Sequence, residues 1–330
     1  MNQCRRQVLV KMGSLSIGAA GLPQSALGQP ITPPTMLSRP NHPGQHVALT
    51  LSTPSPLEPR SIRVWTPAGF DPQRPYQVLM AHDGQNLFDP GFSYGGVPWG
   101  LDHTLQRLLK AGRIGQVVVI GVPNSSKRFE EYAPEDPLRA LSPEWWRLAY
   151  GARSGAPATS EFPGLANRYL AYLFERVLPE SLRALSLHMP EAGVSLMGSS
   201  MGGLISLYGL CKYPSLVRQA ACLSTHWPMT VNTSLLTNPG QASVAVAQSY
   251  RDWLESHLPQ AGRHRIYMDH GTLNLDSLYA PHQQQVDAIF KRKGYRASQD
   301  WSTRVFEGTD HNETAWAARL EIPMEFLFAV

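Results

Sequence analysis

Cysteine is nearly missing from this 330-residue sequence, which holds three: Cys4, Cys211 and Cys222. Three thiols cannot build a disulfide framework, and none of them has the paired spacing of a zinc ribbon or finger. Cys211 and Cys222 sit in apolar surroundings (Leu210-Cys211, Ala221-Cys222-Leu223), the setting of buried free thiols. A single bridge between them stays open in an oxidising compartment. Charge is sparse as well, at 16% of residues, with no Lys/Arg cluster interleaved with aromatics. That argues against nucleic acid as a partner. No apolar run is long enough for a stable membrane anchor, and no internal repeat or low-complexity block occurs. What is present is a 42% hydrophobic chain. Such a chain can bury a sizeable core, in one large domain or two small ones.

The formal charge of +4 is carried largely by the first 28 positions, which hold Arg5, Arg6 and Lys11 and no acid. This stretch has three parts: an arginine pair, a mildly apolar run over residues 12–22, and Ala26-Leu27-Gly28 with small residues where a signal peptidase reads. It resembles a twin-arginine export signal, and the expected destination is periplasmic or secreted. Cys4 precedes the apolar run, so a lipoprotein anchor is not supported. Residues 29–55 are rich in Pro, Ser and Thr and read as an extended segment with one edge strand at 46–52. Residues 56–330 then form the main domain.

Within that domain, short apolar runs alternate with helical patterns. Strands are expected at 61–66, 76–81, 116–121, 194–197, 219–224, 265–268 and 303–306. Nearly continuous apolar runs of this length suit strands buried on both faces. Helical periodicity falls at 101–111, 166–184, 201–212, 245–258, 281–293 and 314–328. The alternation predicts an α/β fold, a mostly parallel central sheet with helices on both faces. Two Gly/Pro-rich stretches, 149–165 and 228–242, break the rhythm and are expected to rim a site.

Gly198-Ser199-Ser200-Met201-Gly202-Gly203 contains G-x-S-x-G. In a chain with 27 glycines the string alone is weak. Its placement is not: a buried-strand pattern ends at Met197 and a helical pattern follows, the strand–turn–helix setting of a nucleophile elbow. Ser200 is therefore the candidate nucleophile. Ser199, flanked two residues away by Met197 and Met201, fails the pattern.

A serine hydroxyl needs a base to take its proton. On such a sheet the partners follow in the order Ser, acid, His. His311 is the sole histidine beyond residue 300 and follows the last strand pattern, so it is the candidate base. The acid should follow the 265–268 strand. Asp276, in a loop, is preferred over Asp269, which lies within the strand or at its edge. Asp310 is disfavoured, because successive side chains point apart. The oxyanion calls for two backbone N–H groups. Met201 follows the nucleophile, and Gln85 lies in the turn after an earlier strand, in His82-Asp83-Gly84-Gln85-Asn86. His82 and Asp83 lack partner ligands at regular spacing, so a polar turn is expected and no metal. Trp227, Tyr132 and Trp316 are candidates for lining the substrate cleft, or else core aromatics.

Several strings together resemble the putative-esterase family of α/β hydrolases, which takes in enterochelin-esterase-like and feruloyl-esterase-like serine esterases. They are Arg60 to Pro67, His82 to Phe88, Arg128-Phe129-Glu130-Glu131-Tyr132, Gly198 to Gly203, Asp269-His270-Gly271-Thr272 and His311. The resemblance spans roughly residues 50–328. It implies an α/β-hydrolase fold and ester hydrolysis through an acyl-enzyme, without metal or organic cofactor. The expected partner is a small-molecule or glycan-linked ester. Some relatives carry an Asp sooner after the Gly-Thr pair than Asp276 stands here. Acyl transfer or peptidase chemistry on the same residues, and a non-catalytic binding module, are the alternatives.

Overall fold

The computed structural model describes residues 33–150, 162–230, 236–237 and 240–330. The segment expected as an export signal, residues 151–161 of the stretch 149–165, and residues 231–235 and 238–239 of the stretch 228–242 lie outside the described residues. Nine strands form one sheet in the order β1-β2-β3-β5-β4-β6-β7-β8-β9. They are β1 (Thr35–Leu37), β2 (Gln45–Thr50), β3 (Ser61–Thr66), β4 (Gln77–His82), β5 (Val117–Val122), β6 (Val194–Ser199), β7 (Val217–Leu223), β8 (Arg265–Gly271) and β9 (Trp301–Phe306). The first three join antiparallel, and β3 meets β5 antiparallel. From β5 to β9 every pairing is parallel.

The described helices are α1 (Leu101–Lys110), α2 (Arg128–Tyr132), α3 (Glu135–Arg139), α4 (Pro143–Tyr150), α5 (Ala166–Tyr172), α6 (Leu178–Ala184), α7 (Met201–Lys212), α8 (Gln241–His257), α9 (Ala280–Arg292), α10 (Glu313–Arg319) and α11 (Glu321–Phe328).

The central strands explain the two-sided cover. Successive side chains of a strand point to opposite faces. Val78 and Met80 of β4 join one core with Ile120, Leu196, Leu204 and Leu207, and with Tyr250 and Leu254 of α8. Leu79 and Ala81 join the other, with Val119, Met197, Leu105 of α1 and Leu320, Met324 and Leu327. Helix α7 is apolar nearly all round, as a helix must be when packed on the sheet and covered by others. Each fully buried leucine there stabilises the fold by about 1.5–3 kcal/mol.

The structure departs from the sequence expectations in three places. The strand expected at the edge, 46–52, is β2, and β1 pairs with it and takes the edge. The single helix expected over 314–328 is two: Pro323 has no N–H for the Arg319 carbonyl, and α10 ends at Arg319. The short helices α2, α3 and α4 were not foreseen, being too short or too irregular for periodicity to show. No described helix is long and apolar enough to cross a membrane.

Candidate active site

Strand β6 delivers Ser200 at its C-terminal end, and α7 begins at the next residue. Ser200 sits at φ 57°, ψ −119°, a backbone conformation costly for a residue with a Cβ. The surroundings hold it there. Its N–H bonds the Leu223 carbonyl at 2.8 Å, and its own carbonyl accepts from His226 N–H at 3.1 Å. The sharp turn brings Gly198 against Gly202 so closely that a Cβ on Gly198 would lie 2.7 Å from Gly202 backbone. That approach is what the flanking glycines of the motif supply.

His311 follows β9 and precedes α10, whose first turn is capped by the Asn312 side chain accepting from Ala315 N–H. The imidazole Nδ1 lies 2.6 Å from Asp276 Oδ1. Asp276, in a short turn after β8, is wholly buried. Its other oxygen accepts from Ser224 Oγ and from Gly271 N–H, both at 2.6 Å. Burial alone would raise the Asp276 pKa. The His311 hydrogen bond and charge, with help from Ser224 and Gly271, hold it below the ordinary carboxylate value. With Nδ1 committed to Asp276, Nε2 is the nitrogen left to serve as a base.

Asp269 goes elsewhere. It lies inside β8 and is clamped by Arg319, at 2.9 and 3.1 Å to its two oxygens, with further donors in Ser224 N–H and Tyr267 OH. Burial pushes its pKa up against the pull of Arg319. Asp310 accepts the His311 backbone N–H and the Asn274 side chain, and does not meet the imidazole.

Ser224 links the two acids. Its hydroxyl donates to Asp276 and accepts from Trp316 Nε1 at 3.0 Å and Arg319 Nη2 at 2.8 Å. Trp316 also packs edge-on against the His311 ring, 5.0 Å between centroids. Tyr279 donates to His226 Nδ1 at 2.7 Å and stands edge-on to His311 at 5.6 Å. Burial lowers the His226 pKa to about 4, so this histidine is neutral near pH 7.

The turn after β4 carries the other expected donor. Asp83 adopts a left-handed φ of 54°, and the chain then turns through Gly84, Gln85 and Asn86. A Cβ on Gly84 would meet the Gly121 backbone at 2.4 Å, so only glycine lets this turn rest on β5. Asp83 is fixed by Arg128, with two contacts of 2.7 Å, and by Asn124 at 2.7 Å. Arg128 reaches on to the Ser199 carbonyl at 3.4 Å, so one guanidinium ties the turn to the elbow. As the first residue of α7, Met201 has a backbone N–H with no carbonyl one turn back to take it. Gln85 is half-buried, as are Ser200 and His311, while the residues around them are enclosed.

The aromatic candidates are not alike. Tyr132 is fully buried, its hydroxyl accepting from Asp83 N–H at 3.2 Å. Trp227, 2% exposed, donates to Gln283 and packs in the core with Tyr250. Both therefore brace the site from within. Trp316, 4% exposed, walls His311. Sequence reading gave no role to Arg128, Ser224 or Tyr279. Arg128 alone had a signal, its place in one of the strings that resemble the esterase family. Those strings also hold Arg60 and Glu131, which form a second buried ion pair at 2.6 and 2.9 Å. Two cavities among the described residues, of 710 and 680 Å³, share Arg218 and Gln219 of β7 in their lining, away from Ser200.

A mostly parallel sheet covered on both faces, with a strained serine between strand and helix at its centre, is the fold of the α/β hydrolases. The chain belongs to the family described as Putative esterase, whose model matches residues 54–324. Solved structures share its fold. An enterobactin esterase, FES, from Shigella flexneri superposes with a TM-score of 0.59 at 12% identity, over 87% of this chain and 60% of that one. This chain thus spans less than two thirds of that enzyme's length. A ferulic acid esterase gives 0.58 at 13% identity, over 87% of this chain and 98% of that one. An IroE-like serine hydrolase from Shewanella oneidensis gives 0.55 at 17%, over 86% and 80%. A Bacillus subtilis protein described as uncharacterised, YbbA, is 22% identical over 258 residues, 77% of this chain and 86% of its own length.

Proposed function

We propose that this protein is a serine carboxylic-ester hydrolase that works through an acyl-enzyme on Ser200. The observation that carries the reading is the Ser200 backbone, held at φ 57° between β6 and α7. Such strain persists only where the surroundings enforce it, and it points a hydroxyl out of the sheet. His311 Nε2 takes the serine proton, and Ser200 Oγ attacks the ester carbonyl. The N–H groups of Met201 and Gln85 receive the oxyanion. Asp276 stabilises the imidazolium that forms. His311 then protonates the leaving alcohol, and water releases the acyl group by the reverse path. For attack, the Ser200 hydroxyl has to meet His311 Nε2; such contacts often tighten only when substrate binds.

The substrate class is a small-molecule or glycan-linked ester, in line with relatives named for enterobactin and ferulic acid esters. A panel of nitrophenyl esters tests the reading. Wild type should turn over at least one of them, and Ser200→Ala should lose about 10⁴-fold or more in kcat. Equal turnover by both proteins, or none by wild type, would overturn it.

A further inference from the structure

Three side chains from separate parts of the sequence converge where the β1–β2 hairpin meets α1. His42 comes from the turn before β2, His46 from β2 itself, and Asp102 from the first turn of α1. Asp102 is wholly buried and His46 is 3% exposed. His42 Nδ1 lies 2.6 Å from Asp102 Oδ2, and His46 Nε2 lies 3.2 Å from the same oxygen. The three atoms fall within 4.8 Å of one another. The second Asp102 oxygen is taken by the His103 backbone N–H at 3.0 Å. One carboxylate oxygen thus faces two rings and serves one: buried His46 Nε2 has no hydrogen bond of acceptable geometry. An unpaired buried polar atom is costly. Phe88 closes the inner side, edge-on to His46 at 5.0 Å.

We propose that His42, His46 and Asp102 form a binding site for a divalent transition-metal cation of the zinc type, with water completing the shell on the half-open His42 side. Two imidazole nitrogens and one carboxylate oxygen suit such a cation, whereas calcium and magnesium favour all-oxygen sets. Bonds of about 2.0–2.1 Å in a tetrahedron set ligand atoms about 3.3 Å apart. The His46–Asp102 spacing of 3.2 Å already fits this, and the His42 contact needs only a small opening. A cation would bind His46 Nε2, a buried atom without a hydrogen bond of acceptable geometry. His42, bound through Nδ1, would then carry its proton on Nε2, where Arg39 stands at 3.4 Å. Arg39 has an alternative in Asp89, already 2.7 Å away.

The location gives the site a structural role. Trp99 N–H bonds the Asn86 carbonyl at 2.8 Å, and Leu101 N–H bonds the Leu87 carbonyl at 3.1 Å. A cation on Asp102 would pin the hairpin to the segment that follows the Gln85 turn.

The test uses the purified full chain, stripped with a chelator, dialysed and titrated with Zn²⁺ by calorimetry and thermal denaturation. Co²⁺ serves as the spectroscopic probe. The expected result is one Zn²⁺ per chain, a Tm that rises with Zn²⁺, and a visible Co²⁺ band of tetrahedral type. His46→Gln and Asp102→Asn should weaken binding by about tenfold or more. Absence of stoichiometric uptake by wild type would overturn the proposal. So would uptake unchanged in His46→Gln but lost in His311→Gln, which would place the metal on the His311 imidazole. Should the buried variants misfold, His42→Gln at the surface of the cluster and the wild-type Co²⁺ spectrum decide the matter.

Discussion

Asp269 lies within β8 and Asp276 in the turn after it, and both are fully buried, yet their partners differ. Asp276 meets His311, and Asp269 meets Arg319. Their substitutions should therefore fail in different ways. Asp276→Asn leaves an imidazolium without its counter-charge, and kcat should fall by about 10³–10⁴-fold with a modest change in Tm. Asp269→Asn leaves buried Arg319 unpaired, at a cost of about 3–5 kcal/mol, and should lower Tm or soluble yield while the folded fraction keeps most of its kcat. Ester kinetics beside thermal denaturation separate the two, and the reverse pattern would contradict the assignment. At this scale the sequence offered Ser200, Asp276 and His311 in the order that the fold expects of serine, acid and histidine. It preferred Asp276 to Asp269 on loop position alone, and the contacts that separate the two depend on β8 running on to Gly271 and on Ser224 lying between the two carboxylates. Tyr279 and Ser224 carry no motif, and only the folded chain brings them to the site. Likewise, no regular spacing announces His42, His46 and Asp102, because Asp102 comes from a different element.

Strand and helix boundaries at the site follow from local chemistry that periodicity reads well: β6 ends, the elbow turns and α7 starts within a residue or two of expectation. Elements set by other causes were harder to see. Pro323 splits the last helix, and β1, at three residues, is too short for an alternation signal. The turn after β4 is an element whose position rests on one missing side chain. Gly84→Ala would put a Cβ 2.4 Å from the Gly121 backbone and displace Gln85 N–H with the turn. Misplacement of a reacting contact by about 1 Å can cost 10²-fold in rate. The variant should therefore lose roughly 10- to 100-fold in kcat, with a smaller change in KM for the same nitrophenyl ester. Unchanged kcat would remove Gln85 as an oxyanion donor.

Over the whole molecule, several histidines are folded away neutral. Burial lowers the pKa of His82 to about 3 and those of His226 and His282 to about 4, against an ordinary value of 6.5. Between those values the unfolded chain binds protons that the folded chain does not, so stability rises with pH. It is fully present above about pH 6.5 and is lost as pH falls towards 4, on the order of 3 kcal/mol for His226 alone. Urea midpoints measured from pH 7 to pH 4 should fall steadily, and a flat profile would contradict the buried-neutral state of these rings. The global architecture was the most legible part, because alternating buried strands and helices admit few arrangements. The central claim concerns one atom of that architecture, Ser200 Oγ. A fluorophosphonate that mimics the tetrahedral intermediate, followed by peptide mass spectrometry, tests it directly. The account predicts a single adduct on the peptide that contains Ser200 and none in Ser200→Ala, whereas an adduct on another residue, or an equal one in the variant, would contradict it.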